Sequence, residues 1–304
     1  MPVETLDRGR IELDAEASRV SGEIDQLFSQ LLTSRGDGRD VLFEAMRHAS
    51  IGGGKRLRPL LTVAASRLFG IASDRALRVG AAIEAIHVYS LIHDDLPCMD
   101  DDDVRRGKPT VHKAFGEAAA VLAGDSFHAL AFEILADPAT HEDPFVRSDL
   151  VLDLAKAAGP SGMAGGQMMD LAAEGVSLDL PAITRLQQLK TGALIEYSVE
   201  APCIMARLPA EARTPYRGYA RNIGLAFQIA DDLIDHGGDA ESAGKRTGKD
   251  AEAGKATFVS VLGAERAEVQ ARVLVSQAIE HLAEHGEEAD LLRALARFAI
   301  ERNH

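Results

Sequence analysis

Ala81-Ala82-Ile83-Glu84-Ala85-Ile86-His87-Val88-Tyr89-Ser90-Leu91-Ile92-His93 runs directly into Asp94-Asp95-Leu96-Pro97-Cys98-Met99-Asp100. The first part is apolar at most positions and too long for an ordinary strand, so it reads as a buried helix. Asp94 and Asp95 therefore end a core element. Outward from this stretch the same helical spacing dominates. Leu13, Ala17, Val20, Ile24, Leu27, Phe28 and Leu31 mark one face over 11–32. Further helices are expected at about 40–50, 59–69, 73–95, 117–136, 145–158, 162–174, 181–207, 211–235, 256–284 and 287–302. Gly36-Asp37-Gly38, Gly52-Gly53-Gly54, Asp137-Pro138, Gly159-Pro160 and Gly237-Gly238 punctuate them. No alternating apolar/polar run suggests a sheet, and no repeat or low-complexity linker divides the chain. The expectation is one all-α domain over 1–304.

Composition bounds what such a bundle can do. Lys and Arg number 33 against 47 Asp and Glu, a formal charge of -14. A nucleic-acid or anionic-membrane surface is not expected on that balance, and an anionic substrate would need local cations or bridging metal. Cys98 and Cys203 stand in unrelated contexts, which fits a reducing cytosol and no disulfide. Met1 to Val20 lacks a signal-peptide core, and no run approaches a membrane-spanning length of uncharged apolar residues. A cytoplasmic location is expected.

Residues 94–103 hold six carboxylates: Asp94, Asp95, Asp100, Asp101, Asp102 and Asp103. Unit charges about 4 Å apart repel by roughly 4 kcal/mol at an effective dielectric near 20, so such a cluster needs water or cations. In an unbroken helix Asp100 would point about 120° away from Asp94. Pro97 forces Leu96 out of helical geometry, and the resulting bulge could return Asp100 to the same side. An EF-hand frame is excluded, since no register gives acids at loop positions 1, 3 and 5 followed by Gly at 6. Arg105-Arg106-Gly107-Lys108 follows at once; carboxylates beside arginines suit a metal–phosphate site.

A second acidic set, Asp231-Asp232-Leu233-Ile234-Asp235, also ends a helical run. Asp231 and Asp235 lie within about 40° on one face, whereas Asp232 points about 100° away. Gly244-Lys245-Arg246 and Gly254-Lys255-Ala256-Thr257 follow as basic loops, and neither is a P-loop. Near the N-terminus, Gly52-Gly53-Gly54-Lys55-Arg56-Leu57-Arg58-Pro59 precedes an apolar helix. Pro59 suits its first turn, so free N–H groups and the positive dipole end face a loop carrying Lys55 and Arg58, a diphosphate cradle that needs no metal.

With these motifs in order the chain resembles the trans-isoprenyl diphosphate synthase family, of the farnesyl or geranylgeranyl type. The resemblance extends over Ile86-His87, Tyr89 to Pro97, Asp103 to Thr110, Gly124-Asp125, Gly165-Gly166-Gln167, Lys190-Thr191-Gly192, Phe227-Gln228 and Gly254 to Thr257, nearly the whole chain. It implies an all-α bundle around a deep apolar cavity, a homodimer, and Mg²⁺ as cofactor, about three ions with substrate bound. By the same resemblance Asp94, Asp100 and Asp231, supported by Asp95 and Asp235, would hold the metal. Arg105, Lys190, Lys245 and Lys255 would contact an allylic diphosphate. Lys55, Arg58, His87 and Arg106 would hold isopentenyl diphosphate, and Arg302 could close over it. Thr191 and Gln228 would present oxygen dipoles to an allylic cation, while Gln167 and Asp170 would orient Lys190.

Tyr89 lies five residues before Asp94, roughly 7.5 Å deeper by helical rise, and Ser90 one turn before it. A bulky Tyr89 would floor the prenyl channel, which with the two-residue insertion between acids resembles bacterial farnesyl synthases. A geranylgeranyl synthase with a displaced Tyr89, a class I terpene cyclase and a non-catalytic metal-binding bundle remain as alternatives. The cyclase is not expected to keep both Asp231 to Asp235 and the loop at 52–58.

Overall fold

The computed structural model describes residues 3–173, 175–176, 178–237 and 257–301, with side chains from Arg10 onward. The elements are α1 (Val3–Leu31), α2 (Asp40–Ser50), α3 (Leu57–Arg67), α4 (Ser73–Asp94), β1 (Val104–Arg105), β2 (Lys108–Pro109), α5 (Val111–Phe115), α6 (Glu117–Ala136), α7 (Pro144–Ala158) and α8 (Met163–Ala172). They continue with α9 (Leu180–Gln187), a π-helical turn (Gln188–Gly192), α10 (Ala193–Met205), α11 (Thr214–Gly237), α12 (Phe258–Leu262), α13 (Ala264–Glu280) and α14 (Asp290–Glu301). The all-α expectation is met.

α4 is the axis of the bundle. Ala76, Val79, Ala81 to Ile86, Val88 and Ile92 are buried along it, so this helix has almost no solvent face over its middle turns. Its neighbours are α3, α6 and α1. Gly80 lets Pro59 of α3 approach, since an added Cβ would stand 3.0 Å from the Pro59 Cα. The π-turn before α10 packs on α11: a Cβ on Gly224 would lie in ordinary contact with the Gly192 Cα at 3.7 Å. Small residues at the crossings set how closely the helices that carry the charged groups approach.

Three details depart from the periodicity. The helix expected over 256–284 breaks at Gly263, whose φ of +79° ends α12 and begins α13. The helix expected over 181–207 contains the π-turn, one extra residue in the ladder that a 3.6-residue pattern does not reveal. No sheet was expected, yet β1 and β2 pair antiparallel, Val104 with Pro109 and Arg105 with Lys108. Arg106 and Gly107 form their two-residue turn with φ of +53° and +75°, the type I′ pattern.

Among the described residues one helix, α6, has the length and hydropathy to cross a membrane. It carries Asp125 and Glu133 and packs Ala120, Gly124, Phe127, Ala131 and Leu135 into the core.

Gly166 of α8 sits against the π-turn with no room for a side chain; an added Cβ would overlap the Lys190 amide. Backbone cannot swing aside as a side-chain tip can. Gly166→Ala is therefore expected to destabilise the fold by about 1–3 kcal/mol, seen as a lowered urea midpoint. An unchanged midpoint would contradict the close approach.

Candidate active site

α4 ends because Asp95, its C-cap, is followed by Leu96-Pro97. The Met99 amide then donates to the Leu96 carbonyl at 2.9 Å, and the Asp100 amide reaches back to the Asp94 carbonyl at 2.8 Å. Asp101 completes the reversal with φ of +48°. The expected bulge thus brings Asp100 back beside Asp94. Burial pushes the Asp94 carboxyl from 3.8 up to about 6; Lys190 and Arg105 pull it down, while Asp100 and Asp95 push it further up. Lys190 is thereby placed within electrostatic reach of Asp94.

Asp95 faces another way. It is 3% exposed, and the Arg105 guanidinium donates to it through Nε at 2.7 Å. Burial still holds its carboxyl above the usual range, with Arg105 opposing. The ligand atoms of Asp101, Asp103 and His112 form a separate group, all within 4.8 Å of one another. There the Lys113 ammonium already lies 2.7 Å from Asp103.

The hairpin explains how Arg106 reaches the N-terminal loop. His48 contacts the Pro109 carbonyl at 2.7 Å and Lys108 donates to the Ile51 carbonyl at 3.2 Å, tying β2 to the end of α2. From the turn, the Arg106 guanidinium lies over Gly53 and Gly54, where a Cβ on Gly54 would overlap it. Arg58 and His87 complete this basic pocket. Burial lowers the His87 imidazolium well below its usual range, and Arg58, Arg106, Arg105 and Arg56 press the same way. Burial also lowers Arg58 and Arg106; Glu84 opposes each shift, Arg106 lowers Arg58, and Arg56 and Arg105 lower Arg106. Three nitrogenous groups held where their charge is disfavoured make a pocket suited to a polyanion.

Arg56, between Lys55 and Leu57, belongs to the frame of that pocket. It adopts φ of +46°, is 2% exposed, and bonds Glu84 at 2.7 Å, Asp25 at 2.7 Å and the Ser50 carbonyl. Asp25 also accepts from the Gly52 amide at 2.9 Å. One guanidinium therefore joins α1, α4 and the Gly-rich loop. Lys55 is exposed on the loop, and a cavity of about 460 Å³ is lined by Asp25, Gly54, Lys55, Leu57 and Phe227 among others. The loop and α11 thus share a wall.

Lys190, Thr191 and Gly192 sit in the π-turn, where the widened helix turns side chains away from their α-helical directions. Asp170 of α8 holds the Lys190 ammonium at 2.6 Å, the orienting contact that the resemblance implied for Asp170. On α11, Gln228, Asp231 and Asp235 follow Gly224 along one face. The π-turn therefore approaches Asp94 through Lys190 and packs on α11 through Gly192, two turns before Asp231. Asp232 is buried and accepts from the Phe258 amide at 2.7 Å, capping α12. A larger cleft of about 800 Å³ lies behind the π-turn, lined by Glu196, Arg217, Arg221 and Gly192 among others, away from both acidic sets. Ser90 donates to the His87 carbonyl at 2.8 Å, and Tyr89 packs edge-on against His93 and His128. Lys245, Lys255 and Arg302 lie outside the described residues.

The sequence model of the polyprenyl synthetase family matches residues 39–297. The chain belongs to that family. It is 45% identical over 265 residues to farnesyl diphosphate synthase of Escherichia coli, covering 86% of this chain and 89% of that one. It is 41% identical to geranylgeranyl pyrophosphate synthase 4 of Arabidopsis thaliana over 86% of this chain and 71% of that protein. A crystal structure of an FPP/GFPP synthase from Zymomonas mobilis superposes with a TM-score of 0.87 at 56% identity, covering 95% of this chain and 99% of that one. The family resemblance read from the motifs is confirmed, and the all-α neighbours agree with it.

Two outcomes follow from this geometry. Arg56→Met would leave Glu84 buried without its cation and is expected to cost about 3–5 kcal/mol by chemical denaturation; a loss within error would remove Arg56 from the frame. Asp94 binds its proton more tightly folded than unfolded, so the metal-free protein should lose stability as pH rises from about 4 through about 6. Asp94→Asn is expected to raise the melting temperature of metal-free protein at pH 7 and to leave it unchanged at pH 4. Equal effects at both would contradict the raised carboxyl.

Proposed function

We infer that the chain joins isopentenyl diphosphate to allylic diphosphates head to tail, with farnesyl diphosphate as its product. The observation that carries this is an acidic patch at Asp94 within electrostatic reach of Lys190, beside a separate buried pocket of Arg58, His87 and Arg106. Two anionic substrates need two different anchors, and the site offers one of each kind.

The donor set fits Mg²⁺: Asp94 and Asp100 are joined by a backbone hydrogen bond, Asp231 and Asp235 share a face, and no sulfur or imidazole is needed. When bound, about three Mg²⁺ ions would supply Lewis-acid charge to the leaving diphosphate. Asp94, Asp100 and Asp231 are assigned as its ligands with Asp235 alongside. Asp95 acts in support, through the Arg105 it orients. Arg105 and Lys190 receive the allylic diphosphate, together with Lys245 and Lys255. Lys55, Arg58, His87 and Arg106 hold isopentenyl diphosphate, whose double bond then faces the allylic carbon.

The allylic C–O bond breaks with its electron pair passing to the diphosphate. The isopentenyl π electrons form the new C–C bond, and the proton then lost passes to the departed diphosphate. Thr191 and Gln228 turn oxygen dipoles toward the cation during that interval, which lowers the barrier where charge develops. Arg58, His87 and Arg106 keep the second diphosphate unreacted.

A product of fifteen carbons agrees with the names of the Escherichia coli relative and others of similar identity. The geranylgeranyl synthases among the relatives and the FPP/GFPP synthase of Zymomonas mobilis leave chain length to the local floor. A homodimer is inferred as well; Val121 and Leu122 are 42% and 55% exposed on α6 and suit a second copy. Exposed Cys98 and buried Cys203 are both free thiols, in keeping with a reducing compartment.

Asp94→Ala and Asp231→Ala are each expected to abolish Mg²⁺-dependent condensation without unfolding the protein, measured with isopentenyl and dimethylallyl diphosphates. Wild-type rates in either would refute the metal assignment. Tyr89→Ala should lengthen the product, and cyclic products from the wild type would favour a terpene cyclase instead.

A further inference from the structure

Tyr89 packs against the hydrophobic core and meets two histidine rings. Its hydroxyl makes no hydrogen bond among the described residues, and burial with Asp94 nearby keeps the phenol un-ionised. The ring meets His93 at 5.8 Å between centroids, tilted 73°, and His128 at 5.1 Å and 90°. His128 in turn meets Phe132 at 5.2 Å and 74°. Edge-to-face contacts of this kind are favourable and directional.

The two ends of this array are anchored. His93 is tethered to the Val121 carbonyl at 3.2 Å, and its ring fills the space where a Cβ on Gly124 would stand. Phe132 packs against the hydrophobic core. Gly124, His128 and Phe132 follow at four-residue spacing and so present one stripe of α6 toward α4. Among the described residues His128 makes no hydrogen bond or ion pair, only the ring contacts with Tyr89 and Phe132. His128 is exposed in the single chain, on the side of α6 that also carries Val121.

We propose that His128 is a positioning residue for product length: its ring braces Tyr89 across the α4–α6 interface and so keeps the channel floor closed. This rests on the elongation reading above. The floor is then a two-helix device in which a change on α6 reaches the growing tail without touching it. Deleting the His128 ring frees Tyr89 to rotate toward α6 and opens depth below it.

The test compares His128→Ala, His128→Gln, His128→Phe, Tyr89→Ala and the double variant Tyr89→Ala/His128→Ala. Each is incubated with isopentenyl and dimethylallyl diphosphates and Mg²⁺, and the hydrolysed products are separated by chain length. His128→Ala and His128→Gln are expected to move most of the product at least one five-carbon unit longer, at unchanged melting temperature and first-condensation rate. His128→Phe should restore the wild-type length, because the ring is what acts. The double variant should be no longer-chained than Tyr89→Ala alone. A wild-type product spectrum from His128→Ala would overturn the proposal, as would additive lengthening in the double variant. No condensation at all by the wild-type enzyme would instead sink the elongation reading, and this proposal with it.

Discussion

A carboxylate at the end of a buried helix is costly to ionise, and Asp94 is held in that position by everything around it. α4 cannot tilt away because both its flanks are packed with small residues, and Asp100 cannot retreat because its amide is bonded to the Asp94 carbonyl. The same confinement operates at the basic pocket, where burial lowers Arg58, His87 and Arg106, Arg106 also lowers Arg58, and both arginines lower His87. Charge is thus concentrated twice, with opposite sign, on elements that cannot relax apart. In the proposed function divalent cations would answer the first concentration and a diphosphate the second.

Neutralised charges act as the girders between these zones. Arg56 joins α1, α4 and the Gly-rich loop through Asp25 and Glu84, and a buried pair of this kind fixes geometry better than it adds stability. Asp95 with Arg105, and Asp170 with Lys190, play the same part for the two cationic side chains assigned to the allylic diphosphate. Each of these cations is oriented by a carboxylate that is not itself expected to bear the reacting group, a division of labour that lets an acidic protein present fixed positive charge.

Much of this was legible in residue order. The apolar run ending at Asp94, the breaker Pro97 and the arginines after it pointed to a folded-back acidic site, and the backbone hydrogen bond between Asp100 and Asp94 realises it. The spacing of Asp231 and Asp235 placed them on one face of α11. Other features were hidden for physical reasons. A π-turn inserts a single residue into a ladder, below what periodicity can register, so the special geometry of Lys190 and Thr191 was not visible. Arg56 looked like one more loop cation because its partners, Asp25 and Glu84, are far off in sequence. The Asp232 bond to the Phe258 amide is likewise tertiary. The Arg106-Gly107 hairpin had a readable signal in its glycine, but strands two residues long leave no alternation to support it.

The central claim, that both acidic patches grip one diphosphate through shared divalent ions, is tested most directly by crystals grown with Mn²⁺ and inorganic diphosphate. Anomalous scattering locates each manganese. The account predicts ions ligated by Asp94 and Asp100 on one side and by Asp231 on the other, all contacting the same diphosphate. Manganese confined to one patch, or a diphosphate held without metal contact to either, would contradict it.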